Sequence, residues 1–432
     1  MRVGHISFRL AGTDGVSLEA AKIAQVLRRM GHTNYYLAGE LDPPASTGPV
    51  KAPVEAGILV PQAHFTDPEV LWITEHAFGT QHRHPDLIER IDALTEVLYT
   101  ALKDFVAGYQ IELLVIQNVF AIPMNIPLSV AIHKFLRESG LPAIAHHHDF
   151  YWERERYRIN CITELLEQNF PPHLPNLRHL VINTSAKQDL ERRRIPGTFL
   201  PNIFDFDLIP PGPDEYNRDL RSRLGLAPSD LFFLQPTRVI PRKGIELAIE
   251  LVSRLNDLPI KLIITHQAEY NSQDYLARLI AMARDLSVDL RYLPHLFHPQ
   301  RCMGENQEKI YSLWDAYIYA DFVTYPSFYE GFGNALVETL FFRKPLLVNR
   351  YAIYKDDIEP VGLQAVTING KITDQTVSDV RMLLSDPQRI SYMTAHNAEV
   401  ASRHFSYQTA QSILERIFTE FKLTTSFKAH VR

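Results

Sequence analysis

Short β-rich runs alternate with runs of helical period along most of the chain, and this alternation constrains the fold more than any other feature. Parallel strands need long crossover connections, usually helices, so the pattern predicts an α/β architecture with parallel sheets. The strand and helix pairs predicted first are 3–8 with 18–30, 112–117 with 126–139, 142–147 with a loop and a helix, and 179–183 with 185–194. The later pairs are 231–235 with 244–255, 261–265 with 274–286, and 322–325 with 330–338. A strand over 346–349 and helices towards the C-terminus, broken at Pro387, complete the pattern.

A break rich in proline separates the two series, at Pro201-Asn202 and at Pro210-Pro211-Gly212-Pro213. The 432 residues are enough for two domains of roughly 200 residues each. We predict an N-terminal domain over 1–207 and a C-terminal domain over 208–409, with the helices of about 410–432 packing back on the first domain. Two doubly wound, Rossmann-like domains facing a cleft are expected, with ligands at the carboxyl ends of the strands.

Composition excludes several classes of partner. A net charge of −6 gives no general basic field, so no nucleic-acid partner is expected. The two cysteines are too few for a disulfide scaffold, and no apolar run approaches the ~20 residues of a membrane span. The N-terminus runs directly into a strand without a signal-peptide pattern. We therefore expect a cytoplasmic protein that is not integral to a membrane; its oligomeric state cannot be derived from the sequence.

The stretch 327–338, Ser-Phe-Tyr-Glu-Gly-Phe-Gly-Asn-Ala-Leu-Val-Glu, places Glu330 and Glu338 on either side of a glycine pair. Glycines after a strand allow close approach of a ligand, and amides at the next helix N-terminus favour oxygen-rich groups. Over eight helical residues the carboxylates would lie about 12 Å apart and could hold the sugar and the ribose of a nucleotide sugar. Alternatively, Glu330 caps the helix and Glu338 is a solvated helical residue.

A second group of charges lies upstream, where Arg238 follows a predicted strand and Lys243 precedes the next helix. A diphosphate requires fixed cations near its oxygens, and these two side chains would stand at the ligand end of the sheet. Alternatively, they are solvated charges. Together with Glu330 and Glu338, they predict a site for a nucleoside diphosphate that carries a polyhydroxylated group.

These residues occur with others in an order that resembles one known family. The others are the Gly12–Gly15 loop before a helix ending at Gly31-His32, Pro201-Asn202, Tyr325-Pro326-Ser327 and Lys344-Pro345. The combination resembles the retaining family-4 glycosyltransferases of GT-B fold, and the resemblance covers most of the chain. Within the family, the chain most resembles enzymes that mannosylate glucosyl-3-phosphoglycerate.

The resemblance implies a role for each part of the donor site. Arg238 and Lys243 would neutralise the diphosphate, and Glu338 would hold the ribose. Donor-sugar hydroxyls would be bound by Glu330 and by the backbone of Gly331, Phe332, Gly333 and Asn334. Gly12 and Gly15 would contact phosphate, although Gly12-Thr13-Asp14-Gly15 departs from the commoner double-glycine loop. The donor would be GDP-mannose or UDP-glucose.

The resemblance also implies hexosyl transfer with retention of configuration. The acceptor hydroxyl would attack from the face that the diphosphate leaves, and a phosphate oxygen would take its proton. The predicted catalytic residues are His148, Arg238, Lys243 and Glu330. No separate nucleophile is needed.

Acceptor binding is predicted for the N-terminal domain. His146-His147-His148-Asp149 ends a strand, and Arg154, Arg156 and Arg158 follow it closely. His148, Asp149, Arg154 and Arg158 are predicted to bind a small anionic acceptor, such as a phosphorylated glycoside. A helix would put Arg154 and Arg158 on one face, whereas an extended loop would put all three arginines on one side. Alternatively, these arginines pair with the interleaved glutamates on the surface.

No metal or other cofactor is required on this interpretation. Strand alternation directs His147 away from His146 and His148, and no cysteine or carboxylate pattern completes a metal site. Asp205-Phe206-Asp207 matches the D-x-D triplet of another glycosyltransferase fold, but we interpret it as linker. A divalent cation is compatible with the site and not implied by it.

Three other classes share this set of motifs. A GT-B phosphorylase would bind phosphate with the same cations, a nucleotide-sugar 2-epimerase would act without an acceptor, and a nucleotide-sugar sensor would bind the donor without turnover.

Overall fold

The structure is a computed structural model that describes residues 1–12, 14–42, 56–269 and 272–430, with side chains up to residue 421. The chain forms two compact units. The first unit comprises Met1–Pro201 with Tyr407–Arg432, and the second comprises Asn202–Ser406. Among the described helices, none combines the length and the apolar character needed to cross a bilayer.

The first unit contains a seven-stranded sheet. Its strands are β1 Arg2–Ser7, β2 Thr33–Ala38, β3 Gly57–Leu59, β4 Leu113–Gln117, β5 Ala143–His147, β6 Leu177–Val181 and β7 Gly197–Phe199. They are ordered β3-β2-β1-β4-β5-β6-β7, and all neighbours are parallel. The helices are α1 Gly15–Arg29, α2 Pro68–Ala77, α3 Leu87–Tyr109, α4 Ile126–Ser139, α5 Thr163–Asn169 and α6 Thr184–Arg192. Every residue of β4 and β5 is buried, as expected for central strands covered on both faces.

The second unit contains a six-stranded parallel sheet and a small three-stranded one. The large sheet comprises β8 Leu231–Gln235, β9 Ile260–Ile264, β10 Leu290–Tyr292, β14 Phe322–Tyr325, β15 Leu346–Asn349 and β16 Val366–Ile368, in the order β10-β9-β8-β14-β15-β16. The small sheet comprises β11 Phe297–His298, β12 Cys302–Met303 and β13 Lys309–Ser312. The helices are α7 Leu220–Arg223, α8 Ile245–Ser253, α9 Gln273–Asp285, α10 Leu313–Tyr319, α11 Asn334–Phe341, α12 Asp374–Leu384 and α13 Pro387–His404.

The last helix, α14 Tyr407–His430, belongs to the first unit and packs on α1. There the Arg29 guanidinium lies 5.0 Å from the centroid of the Tyr407 ring, and the Tyr407 hydroxyl is 3.3 Å from Gln25 Oε1.

The two large sheets confirm the prediction of two parallel, Rossmann-like domains. In each sheet the first strand of the unit lies in the centre, with β4 or β14 beside it. This strand order creates a switch point at which connections leave to opposite sides, and ligands of such sheets bind outside the carboxyl ends of these two strands.

The predicted helix over 330–338 is wrong at its start, because α11 begins at Asn334. Gly333 has φ +133°, which is incompatible with an α-helix, and residues 326–333 form a loop. The strands predicted before this loop and after α11 are confirmed, because β14 and β15 have the predicted bounds.

Candidate active site

Two loops meet at the switch point of the second unit. The cation loop, residues 236–244, follows β8, and the glycine loop, residues 326–333, follows the neighbouring strand β14. The Phe328 amide donates a hydrogen bond of 2.8 Å to the Arg242 carbonyl, so the two loops are joined through their backbones. The motifs predicted to bind the donor are therefore neighbours in space.

A buried ion pair joins the two loops through side chains. Lys243 Nζ donates to Glu330 Oε1, and the two side chains are only 9% and 8% exposed. Arg242 adds a 3.0 Å contact from Nη1 to Glu330 Oε2 and a 2.8 Å hydrogen bond to the Tyr329 carbonyl. Burial alone would raise the pKa of the Glu330 carboxyl, but the charges of Lys243 and Arg242 outweigh it and hold the pKa below its ordinary value. Glu330 is therefore a carboxylate at neutral pH.

Two glycines permit this close packing. Gly244 has φ +61°, and a Cβ at this position would lie 2.5 Å from the Pro326 carbonyl oxygen. A Cβ at Gly333 would lie 2.9 Å from the Tyr325 hydroxyl. Any larger residue would push the loops apart or distort the backbone.

Arg238 lies at the exposed side of the cation loop, where Nη1 contacts Glu269 Oε1 at 2.5 Å. His266, which sequence reasoning missed, lies within range of the Lys243 and Arg238 charges. The pairings Gln235↔Ile264 and Val239↔Ala268 place His266 just beyond the end of β9, beside the cation loop. Burial, together with the Lys243 and Arg238 charges, lowers the pKa of His266 to about 4, so this imidazole is neutral.

Glu338 lies on α11, the helix that follows the two glycines. Its Oε2 accepts a hydrogen bond of 3.3 Å from the hydroxyl of the buried Tyr317. Asn334, the first residue of α11, accepts a 2.9 Å hydrogen bond from Asn202 Nδ2. The site therefore has a carboxylate on each side of the glycine pair, as predicted, and Glu330 is paired with the cation loop.

In the first unit, the Gly12–Gly15 loop leads from β1 into α1. Gly12 has φ +75°, and its amide donates to both carboxylate oxygens of Asp42 at 3.2 Å. Gly15 is the first residue of α1, and Asp14 caps this helix by accepting from the amides of Val16 and Ser17. Thr13 lies outside the described residues.

The histidine tract divides between the two faces of β5, as the alternation predicts. The rings of His146 and His148 lie 4.6 Å apart, whereas His147 Nε2 lies 2.9 Å from His179 Nδ1 on the other face. Burial, with a smaller contribution from the Lys22 charge, lowers the pKa of His148 to about 3. His148 is therefore neutral, and its imidazole can accept or donate one hydrogen bond without carrying charge.

The predicted acceptor arginines flank a short 3-10 turn, Glu155–Tyr157: Arg154 lies between it and the preceding turn Tyr151–Glu153, and Arg158 follows it. Neither the helix nor the extended loop considered for this segment is present. Arg154 forms an ion pair with Asp149, with 2.6 Å from Nε to Oδ2, whereas Arg158 is exposed. Of the predicted acceptor residues, the structure thus joins Asp149 to Arg154 directly.

Asn118 was not predicted, and it connects this group. It follows β4 with φ +61°, its Oδ1 accepts from the His148 amide at 2.9 Å, and its Nδ2 donates to Asp149 Oδ1 at 3.2 Å. Within the described ranges, no three His, Cys, Asp or Glu side chains are grouped so that they could hold a metal ion. Asp205 of the D-x-D triplet is buried and Asp207 is exposed.

At the two loops, three cationic side chains are paired with two carboxylates. Such an arrangement suits an anionic ligand, because the cations are fixed before it arrives and the loop amides at the start of α11 add further donors. Two Rossmann-like units in one chain, one of them carrying this site, are typical of a GT-B glycosyltransferase.

Comparison with known proteins gives the same class. Residues 217–399 match the family described as glycosyl transferases group 1. The mannosylglucosylglycerate synthase of Thermotoga maritima is 33% identical over 96% of this chain and 99% of its own length. The synthase of the same name from Petrotoga mobilis is 32% identical over 86% of this chain and 87% of its own.

Solved structures agree on the fold at low sequence identity. Sucrose-phosphate synthase from Thermosynechococcus elongatus superposes with a TM-score of 0.67 at 14% identity, covering 98% of this chain and all of its own. Anabaena HepE in complex with UDP and glucose gives 0.64 at 14% identity, covering 96% and 99%. The chain belongs to the same glycosyltransferase family as the two synthases, and it is a hexosyltransferase that uses a nucleotide-sugar donor.

Proposed function

We propose that the protein is a retaining mannosyltransferase that moves a mannosyl group from GDP-mannose to a small anionic acceptor of the glucosylglycerate type. The observation that carries this proposal is the similarity to two mannosylglucosylglycerate synthases, which extends over both units of the chain. A product of that name is obtained when mannose is added to glucosylglycerate. The acceptor is therefore a glycoside whose charge is a carboxylate, and phosphate is not needed.

The donor site in this proposal consists of the cation loop and the glycine loop. Arg238 and Lys243 hold the diphosphate, Glu338 holds the ribose hydroxyls, and Glu330 with the amides of 331–334 holds the mannosyl hydroxyls. The Lys243–Glu330 pair supports this division, because one buried contact links the group that stabilises the leaving diphosphate to the group that orients the sugar. Charge developing on the diphosphate during bond cleavage is stabilised by cations already in position.

Retention follows from the face on which the acceptor attacks. The acceptor hydroxyl attacks the anomeric carbon on the face that the diphosphate leaves, and a departing phosphate oxygen takes the hydroxyl proton. His148, held neutral by burial, orients the donor sugar by a hydrogen bond and does not act as the base. No cofactor takes part in this sequence, and a divalent cation is not required.

The acceptor carboxylate is bound on the first unit by Arg158 and by Arg154, the latter already oriented through Asp149. Arginine presents a planar fork that matches a carboxylate, so two arginines at the two ends of one turn form a suitable anion site.

A matrix of two donors and three acceptors tests the proposal. GDP-mannose and UDP-glucose are each incubated with glucosylglycerate, glucosyl-3-phosphoglycerate and the uncharged glucosylglycerol. Release of the nucleoside diphosphate and the product mass are followed, and proton NMR gives the anomeric configuration. We expect turnover with GDP-mannose and glucosylglycerate, an α-linked product, and a strong preference over glucosylglycerol. An inverted product, or equal turnover of the charged and the uncharged acceptor, would contradict the proposal.

The arginines are tested in the same assay. The double substitution Arg154→Gln with Arg158→Gln should raise the KM for glucosylglycerate at least about tenfold while leaving the affinity for GDP-mannose unchanged. Arg156→Gln is the matched control, because Arg156 stacks on the neighbouring Tyr157 ring at 4.6 Å. An equal rise in KM in the control would assign the effect to general surface charge.

A further inference from the structure

Tyr351 lies two residues beyond the end of β15, and its side chain reaches the glycine loop. The residue is only 3% exposed, and its hydroxyl donates a hydrogen bond of 2.5 Å to the Phe332 carbonyl. We propose that Tyr351 is a positioning residue for the donor sugar, because it fixes the orientation of the peptide between Phe332 and Gly333.

The argument starts from the geometry of a trans peptide, in which the carbonyl and the following N–H point in opposite directions. When Tyr351 holds the Phe332 carbonyl on the protein side, the Gly333 N–H must point the other way. Gly333 has φ +133°, a conformation that glycine adopts without steric cost. Glycine also has no side chain whose contacts could hold the peptide in place. The orientation of this amide therefore depends on contacts from outside the loop.

Other contacts hold the loop at different points. Asn349 Nδ2 donates to the Ser327 carbonyl at 3.1 Å, which fixes the start of the loop. The Phe332 ring packs edge-on against Phe405 at 5.3 Å, which fixes the side chain. Neither contact determines which way the 332–333 peptide faces.

A second tyrosine closes the space around this peptide. A Cβ built on Gly333 would lie 2.9 Å from the Tyr325 hydroxyl and 3.1 Å from the Tyr351 hydroxyl. Both rings are buried, and their centroids lie 6.4 Å apart. Tyr325 and Tyr351 thus enclose the glycine, and Tyr351 donates the hydrogen bond to the Phe332 carbonyl.

The inference rests on the proposed function in one respect, namely that the amides of 331–334 bind the donor sugar. If they do, removing the Tyr351 hydroxyl leaves the Phe332 carbonyl buried without this donor, and the peptide can rotate to find another. The sugar then loses an amide donor, while Arg238, Lys243 and Glu338 still hold the nucleotide.

The test compares the binding of a nucleotide with that of its nucleotide sugar in Tyr351→Phe. Calorimetric titrations with GDP and GDP-mannose are run on the wild type and the variant, together with steady-state transfer to glucosylglycerate; UDP and UDP-glucose are run in parallel. We expect GDP affinity within about twofold of the wild type, while GDP-mannose affinity and kcat fall about tenfold or more, the effect of one lost buried hydrogen bond.

Tyr311→Phe is the matched control. Tyr311 is fully buried in the same unit and donates a 2.9 Å hydrogen bond to Asp219, away from both loops. It should change neither ligand's affinity. Equal losses for GDP and GDP-mannose in Tyr351→Phe, or no loss of either, would overturn the inference.

Hydrogen exchange on the wild type gives a second measurement that does not depend on the variant's stability. The peptide covering 330–336 should be protected more by GDP-mannose than by GDP. If the wild type transfers mannose but this difference is missing, the inference fails and the proposed function stands. If the wild type binds neither nucleotide sugar and transfers no sugar from either, the proposed function itself is wrong.

Discussion

The buried pair of Lys243 and Glu330 allows stability and catalysis to be measured separately. We consider three variants: Lys243→Met, Glu330→Gln, and the two substitutions combined. Each single substitution leaves one charge of the pair in the interior, whereas the double variant replaces the pair by uncharged side chains of similar volume. The two groups contact each other directly and are almost completely buried.

The expected magnitude follows from burial and from the remaining partner. Removing one member of a buried ion pair costs roughly 3–5 kcal/mol, because the other charge is left uncompensated. In Lys243→Met we expect the lower end, about 3 kcal/mol, because Arg242 still contacts Glu330 at 3.0 Å. The compensation is only partial, since the Arg242 side chain is 37% exposed. For a unit of this size that corresponds to a fall in Tm of about 6–12 °C. The double variant should lie within about 1 kcal/mol of the wild type.

The assay is a double-mutant cycle read by thermal and urea unfolding, with transferase activity measured on the same samples. We expect a coupling free energy of about 5 kcal/mol or more between the two sites, because each single variant loses about 3 kcal/mol or more and the double variant loses about 1 kcal/mol at most. Activity should be lost in all three variants, since neither the cation nor the carboxylate is restored. Additive losses of stability would refute the energetic argument. Recovery of activity together with stability would show that the pair is structural and that neither group acts on the donor.

Further predictions concern individual charges. Arg238→Ala should reduce kcat/KM about a hundredfold or more, while Glu269→Ala, which removes only the partner of Arg238, should not; comparable losses would place the effect in the ion pair. Glu338→Gln should weaken GDP and GDP-mannose equally in calorimetric titrations, because the ribose is common to both; a selective loss of GDP-mannose would contradict a ribose contact. Burial, followed by the His173 charge, lowers the pKa of His179 to about 3, below its unfolded value near 6.5, so stability is full above pH 6.5 and falls as the pH drops towards 3. The loss from His179 alone should be about 2 kcal/mol at pH 5 relative to pH 8, measured by urea unfolding, and His179→Gln should reduce this dependence.

The sheets could be predicted because apolar strands buried on both faces leave a strong pattern. β8, β14 and β15 have the bounds that the sequence indicates, and the helix α4 does too, since Asn125 caps its start and Gly140 ends it with φ +67°. The start of α11 could not be predicted. Gly331 and Gly333 are poor helix formers, but propensity alone does not fix a helix boundary. The contacts of Glu330 with the cation loop and the backbone of Gly333 hold this segment in a loop.

The pairing of Lys243 with Glu330 was outside the reach of sequence reasoning for a related reason. The two residues follow strands that are adjacent in the sheet but separated in the chain by β9 to β13. Spacing along the sequence gives each residue a place at the end of a strand, but not the strand order. Both were predicted to bind one donor, and the structure adds that they also bind each other.

Asn118 illustrates the same limit in the first unit. The sequence presents it as a polar residue at the end of β4, with nothing to separate it from an ordinary loop residue. The order β1-β4-β5 places β4 between the strands that precede Gly12 and His148. The left-handed backbone of Asn118, which asparagine tolerates better than most residues, turns its side-chain amide towards the end of β5. There it accepts from the His148 backbone and donates to Asp149, which in turn holds Arg154. The predicted reaction-centre histidine and the predicted acceptor arginine are therefore linked through Asn118 and Asp149, so a change at Asn118 should affect the positions of the two together.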